Sequence, residues 1–258
     1  MMNSRSWTPV LAGALYAEAL AAVEAIAADL GALKSLVSPF GPDPEFSLAR
    51  GTAGQALFFA YLDQAMPGRG YRAAAMDLLA QAVEAAGTHP AGADLFDGLG
   101  GVAWTLEHLR DRLFDGEVQL VEPWEDEDRA VEGAGLLQGA AGVAHRLNRR
   151  AQAAGEERVA DEARSWFGRL LAMRRPGEGI GGFQARVPDG RGGAVWADDP
   201  GFLTGSAGIG LALLAAISPV EPAWDQLLLG SACRRWMLSL PAHERRRIDS
   251  DLVPDPAP

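Results

Sequence analysis

Over most of the chain apolar residues return every three or four positions, the spacing of helices with one buried face. Thr8 followed by Pro9 reads as a helix start. Val10, Leu11, Ala14, Leu15, Leu20, Val23 and Ile26 then form a stripe, and Gly31 serves as a C-cap. Turn chemistry from Ser38 to Pro44 predicts a loop. Next comes a nearly all-apolar helix through Leu57, Phe58, Tyr61 and Leu62, stopped by Pro67-Gly68. An amphipathic helix follows from about Tyr71 to Ala86, closed by Gly87, with Ala75, Leu78, Leu79 and Val83 on one face. The pairing predicts an inner, buried helix covered by an outer one whose far side is polar.

The inner helix recurs. Arg50-Gly51-Thr52-Ala53-Gly54, Asp97-Gly98-Leu99-Gly100-Gly101, Gln138-Gly139-Ala140-Ala141-Gly142 and Thr204-Gly205-Ser206-Ala207-Gly208 each place a polar residue and two glycines before an apolar helical run. The first glycines of these units, at 51, 98, 139 and 205, are spaced 47, 41 and 66 apart, which marks an irregular helical-hairpin repeat. The second unit continues through Val102, Leu106 and Leu109, then runs into an acidic connector over 115–132. The third has an outer helix from about Glu156 to Met173, with Val159, Ala163, Trp166, Phe167 and Leu170 on its stripe. A Gly- and Pro-rich insertion over 174–200 predicts a loop or small β-hairpin. The fourth inner helix ends at Ser218-Pro219, and an outer helix is expected from about Ala223 to Leu238. The predicted class is all-α, one domain over 1–240 followed by a disordered tail over 241–258.

Composition narrows the partners. The net charge of −11 argues against nucleic acid and anionic membrane surfaces. No apolar run reaches the length of a membrane span, and nothing near the start reads as a signal peptide. Cys233 is the only cysteine, so no intrachain disulfide can form; the expectation is a soluble, cytoplasmic protein.

Candidate chemistry lies on the inner helices and at their mouths. His145 and His108 lie on inner helices; the favoured reading is a hydrogen-bonded helix histidine, with a catalytic role as the sharper alternative. His89, His243 and Cys233 are assigned to a loop, the tail and core packing, and no zinc site is expected from them. Asp97, Asp198 and Asp199 precede inner helices. Two carboxylates meeting at a cavity would suit a glycosidase-like toroid enzyme, but capping of helix N-termini by Asp97 and Asp199 is the favoured reading. Arg50, Gly51, Asp97, Gly98, Gln138, Gly139, Thr204 and Gly205 form the expected helix-mouth binding set, where converging N-termini suit a polar or anionic group.

The segments Ser47–Gly54, Leu95–Trp104 and Pro200–Ile209 resemble hairpin motifs of the lanthionine synthetase C-like family, and Met173–Phe183 resembles the segment between that family's last two hairpins, a likeness running from about Trp7 to Leu238. The resemblance implies an α/α toroid with a central zinc, and an activity that adds a peptide cysteine thiolate to a dehydrated serine or threonine. It also implies partners: a precursor or substrate peptide, with a dehydratase or a full-length cyclase. The third unit matches the family's Cys-His metal site, yet Leu137 and Gln138 stand at those two positions. The family's other cysteine motif has no counterpart, and about two middle hairpins are missing. The expectation is therefore a shortened member without a cofactor of its own, serving as a peptide-binding or scaffold subunit. An active enzyme lacking its own metal is the alternative. A narrower toroid, an open horseshoe and a homodimer burying an exposed edge all remain open.

Overall fold

The computed structural model describes residues 6–33, 45–88, 92–113, 131, 133–137, 139–188 and 193–228. Within them lie seven α-helices: α1 (Gly13–Ala32), α2 (Thr52–Ala65), α3 (Tyr71–Thr88), α4 (Leu99–Leu113), α5 (Ala140–Ala154), α6 (Glu157–Ala172) and α7 (Ser206–Ile217). A 3₁₀ segment (Ala223–Leu228) follows α7. Between α6 and α7 stands an antiparallel hairpin of β1 (Ala185–Pro188) and β2 (Ala194–Ala197), with Ala185 opposite Ala197 and Val187 opposite Val195. The insertion is thus the hairpin that its composition allows. The expected loop over 38–44, the acidic connector's stretch 115–130, His89, Cys233, His243 and the tail all lie outside the described residues.

The fold is an all-α, toroid-like array of helical hairpins. Its inner helices pack side by side in the order α4, α2, α7, α5, which is not chain order. Outside them, α3 covers α2 and α4, α6 covers α5, and α1 lies over α7 and α6. The split follows from the side chains. Every residue of α7 is buried, as is the run Thr52–Leu62 of α2, because these two sit in the middle of the array. The outer helix α6 buries only its stripe of Val159, Ala160, Ala163, Phe167, Leu170 and Leu171.

Several sequence expectations need correction. The first helix starts at Gly13 rather than at Thr8-Pro9. The amides of Val10 and Leu11 both donate to the Ala216 carbonyl, and Trp7 Nε1 donates to that of Ala215, so this stretch is tied to the end of α7. Gly13, at φ 58°, turns the chain into the helix. Gly31 lies inside α1, and Leu33 is the C-cap. Val83 and Leu106, expected on buried stripes, are exposed. The described part of the last outer helix, Ala223–Leu228, is 3₁₀ rather than α, and its Asp225 bonds His145 in the middle of α5.

The insertion also clasps α1. Arg174 Nε donates to the Gly181 carbonyl at 2.8 Å, and the Gly181 amide donates to the Asp29 carboxylate at 2.6 Å. A Cβ on Gly181 would overlap Ile26 of α1, so the glycine is required by the closeness of the two backbones.

Candidate functional site

Each inner helix is preceded by a loop of one design. The residue after the first glycine donates its amide seven residues back: Thr52 to Glu45, Leu99 to Gly92, Ala140 to Gly133, and Ser206 to Asp199. This bond curls the loop so tightly that a Cβ on Gly51, Gly98, Gly139 or Gly205 would overlap its own backbone. The N-caps of α2, α5 and α7 are these glycines, with no side chain capping the helix. Packing therefore accounts for the repeat, and backbone carbonyls of the loop, rather than side chains, take the first amides of these helices.

The loops are linked to one another. Leu136 and Leu137 donate their amides to the Leu203 carbonyl; Phe202 and Leu203 donate to Ala49; Ala49 donates to Phe96. The relay sets the loops side by side in the order third, fourth, first, second unit, the order of the inner helices. It ends in the second unit, where Asp94 Oδ1 accepts the amides of Phe96 at 2.8 Å and Asp97 at 3.2 Å. The second glycines seal the same seams, since a Cβ on Gly208 would press on Leu136, one on Gly54 on Phe202, and one on Gly101 on Leu48.

The residues predicted for the mouth occupy this ring. Thr204, Arg50 and Asp97 follow one another around it, one per loop, while Gln138 lies outside the described residues. Asp199 is buried beneath the junction of the fourth and first loops. Its carboxylate accepts the Gly201 amide at 2.8 Å and the Thr204 hydroxyl at 2.5 Å. Burial drives its pKa upward, and the bonds from Thr204 and Gly201, with the charge of Arg50, offset only part of that push. The expectation that the Asp199 side chain caps α7 is corrected: the backbone carbonyl of Asp199 serves Ser206, and the side chain holds its own loop.

The two histidines sit elsewhere. His145 of α5 is buried and donates from Nε2 to Asp225 Oδ2 at 2.9 Å, with Trp224 stacked on its ring at 4.7 Å. Arg149, one turn further along α5, grips the same carboxylate with Nε at 2.7 Å and Nη2 at 3.0 Å, and reaches Glu221 at 3.1 Å. Burial would raise the Asp225 pKa, but the bonds from His145 and Arg149 outweigh it and hold the carboxyl below its ordinary value. His108 of α4 lies 3.0 Å from the Tyr61 hydroxyl and stacks on Trp104 at 4.3 Å. Neither histidine stands in the loop ring. Sequence reading missed Asp94, Arg149 and Asp225; a carboxylate four residues before Gly-x-Gly-Gly was a readable signal for Asp94, whereas Asp225 belongs to no motif.

The position that the resemblance gives to a cysteine ligand holds Leu137, whose side chain offers no donor atom and whose backbone N–H donates to the Leu203 carbonyl. Among the described residues no three His, Cys, Asp or Glu side chains converge in a way that could hold a metal ion. Zinc chemistry therefore does not fit the described residues of this ring. No helix among the described residues is long and apolar enough to cross a membrane.

A family model described as lanthionine synthetase C-like protein matches residues 42–171, about half of the chain. This span takes in the first three helix-start loops. No curated protein matches the chain.

Proposed function

The chain belongs to the lanthionine synthetase C-like family, and from that premise we propose that it binds a peptide undergoing thioether-type modification without performing zinc-dependent cyclisation. The observation that carries this reading is the division at the third loop. The loop geometry is kept by Gly135, Gly139 and Gly142, while Leu137 stands where a thiolate would be needed. Zinc activates a thiol by lowering its pKa, and a leucine side chain can neither hold the ion nor replace it.

The mouth suits a peptide. Arg50, Asp97 and Thr204 place a cation, an anion and a hydroxyl around the ring. Such a surface would hold a peptide backbone and its carboxylates for a second protein, either a dehydratase or a full-length cyclase. The carboxylate-enzyme reading is weaker, because the Asp199 oxygens are already engaged by Gly201 and Thr204.

Fluorescence anisotropy with labelled precursor peptides, dehydrated and untreated, tests the proposal. Micromolar binding that Thr204→Val and Arg50→Gln each weaken at least tenfold, without loss of cooperative melting, is the expected result. Absence of binding overturns it. Loss of the peptide's free thiol on incubation with the purified protein, or stoichiometric zinc in that protein, would favour an active cyclase instead.

A further inference from the structure

We infer that the core holds a site for one internal water molecule between His145 and Asn148 of α5, donating to the first and accepting from the second. Both side chains are buried, at 3% and 0% exposure. Each leaves one polar atom without a protein partner, Nδ1 of His145 and Nδ2 of Asn148. Polar atoms at that depth are nearly always paired, either within the protein or with an internal water.

The neighbouring bonds decide which of the two atoms donates. The Asp225 carboxylate, gripped by Arg149 at 2.7 and 3.0 Å, only accepts, so Nε2 of His145 carries the hydrogen of their 2.9 Å bond. In the neutral ring Nδ1 is then an acceptor. The Asn148 amide is oriented from its other side. Thr8 Oγ1 donates to Gln152 Oε1 at 3.1 Å, and Gln152 Nε2 donates to the Thr8 carbonyl at 2.6 Å, which fixes the Gln152 amide. The same Nε2 reaches Asn148 Oδ1 at 3.4 Å, so the Asn148 oxygen faces Gln152 and its NH₂ is the group left over. An acceptor and a donor therefore stand unmatched one turn apart on one helix, a spacing that sets their Cβ atoms about 5–6 Å from each other. A water bridges such a pair, and the two supply the polar partners that a buried water requires.

The bridge completes a chain of hydrogen bonds from Thr8 through Gln152, Asn148, the water and His145 to Asp225, tying the N-terminal stretch to the 3₁₀ segment across α5. A cleft of ≈ 440 Å³ lined by Thr8, Pro9, Gln152 and Arg164 brings solvent to the Gln152 end of the chain, one turn from Asn148. By offering Nδ1 a hydrogen, the water keeps the ring's own hydrogen on Nε2, where Asp225 needs it.

Nuclear magnetic resonance of the full chain at neutral pH tests this. The expected result is a His145 ring protonated at Nε2 alone, with a water cross-peak at the Asn148 side-chain amide whose sign is that of a long-lived bound molecule. In Asn148→Leu, magnetic relaxation dispersion of the water oxygen should show the loss of one internal water. A wild-type ring carrying hydrogen on Nδ1, or no long-lived water at Asn148, overturns the inference whether or not the variant folds. An unchanged internal-water count in a folded Asn148→Leu overturns it as well.

Discussion

Asp199 and Asp225 are buried to nearly the same degree, at 1% and 3% exposure, yet their surroundings push their acidity in opposite directions. Asp225 is held by two nitrogens of Arg149 and by His145, so its charge is matched by donors that are themselves cationic or readily become so. Asp199 meets a backbone amide and a hydroxyl, with Arg50 acting only through space, and burial prevails. The first arrangement is a clamp, fixing the 3₁₀ segment to α5, with Trp224 stacked on His145 and the Arg149 guanidinium over the Trp7 ring. The second leaves a carboxyl at the mouth that is costly to keep ionised. Burial alone therefore does not tell an anchoring carboxylate from a strained one; the partners decide.

The largest effect should come from Arg149→Ala. Removing the guanidinium leaves the Asp225 charge buried with His145 alone, which costs about 3–5 kcal/mol for a broken buried pair. Urea denaturation would measure it, and a loss below about 1 kcal/mol would show the clamp to be no stronger than a surface ion pair.

The second test is pH. A carboxyl whose folded pKa is lowered stabilises the protein above its unfolded value, and that stability is lost as pH falls through the folded value. The penalty of Asp225→Asn should therefore be full at neutral pH and shrink below about pH 4, the ordinary carboxylate range. Asp199 should behave inversely. Its raised pKa burdens the folded state at high pH, and the burden is relieved as pH falls through the raised value. Any advantage of Asp199→Asn over the wild type should then be greatest at neutral pH and vanish in acid. Chemical denaturation of both variants across pH checks the signs; parallel curves would remove the distinction.

The smallest effect is Asp199→Asn at pH 7. An amide oxygen can still accept the Gly201 amide, and the Thr204 hydroxyl can turn to accept from the new NH₂, so the change should stay within about 1 kcal/mol. A loss of several kcal/mol by thermal melting would mean that the loop needs the charge after all.

Much of this was readable along the chain. Helical periodicity located the helices from α2 to α7, the inner ones as nearly continuous apolar runs such as that through Leu57, Phe58 and Leu62, and outer α6 by its stripe of Val159, Phe167 and Leu170. The glycines announced the loops. Less legible were the ends of elements. Thr8-Pro9 has good helix-start chemistry, but the Ala216 carbonyl takes the amides that a helix would have used. Val83 and Leu106 fit helical stripes and lie exposed all the same, because periodicity reports that a face is apolar and not that anything covers it.

By itself, then, the sequence determined the helical class and the fourfold loop design, both of which follow from local backbone sterics and side-chain composition. Only the tertiary structure decided the order of the loops around the ring, the partners of Asp199 and Asp225, and which helix faces lie at an edge. Those depend on contacts between residues as far apart as His145 and Asp225. No local pattern encodes such a contact, because its energy exists only once the backbone has brought the two groups together.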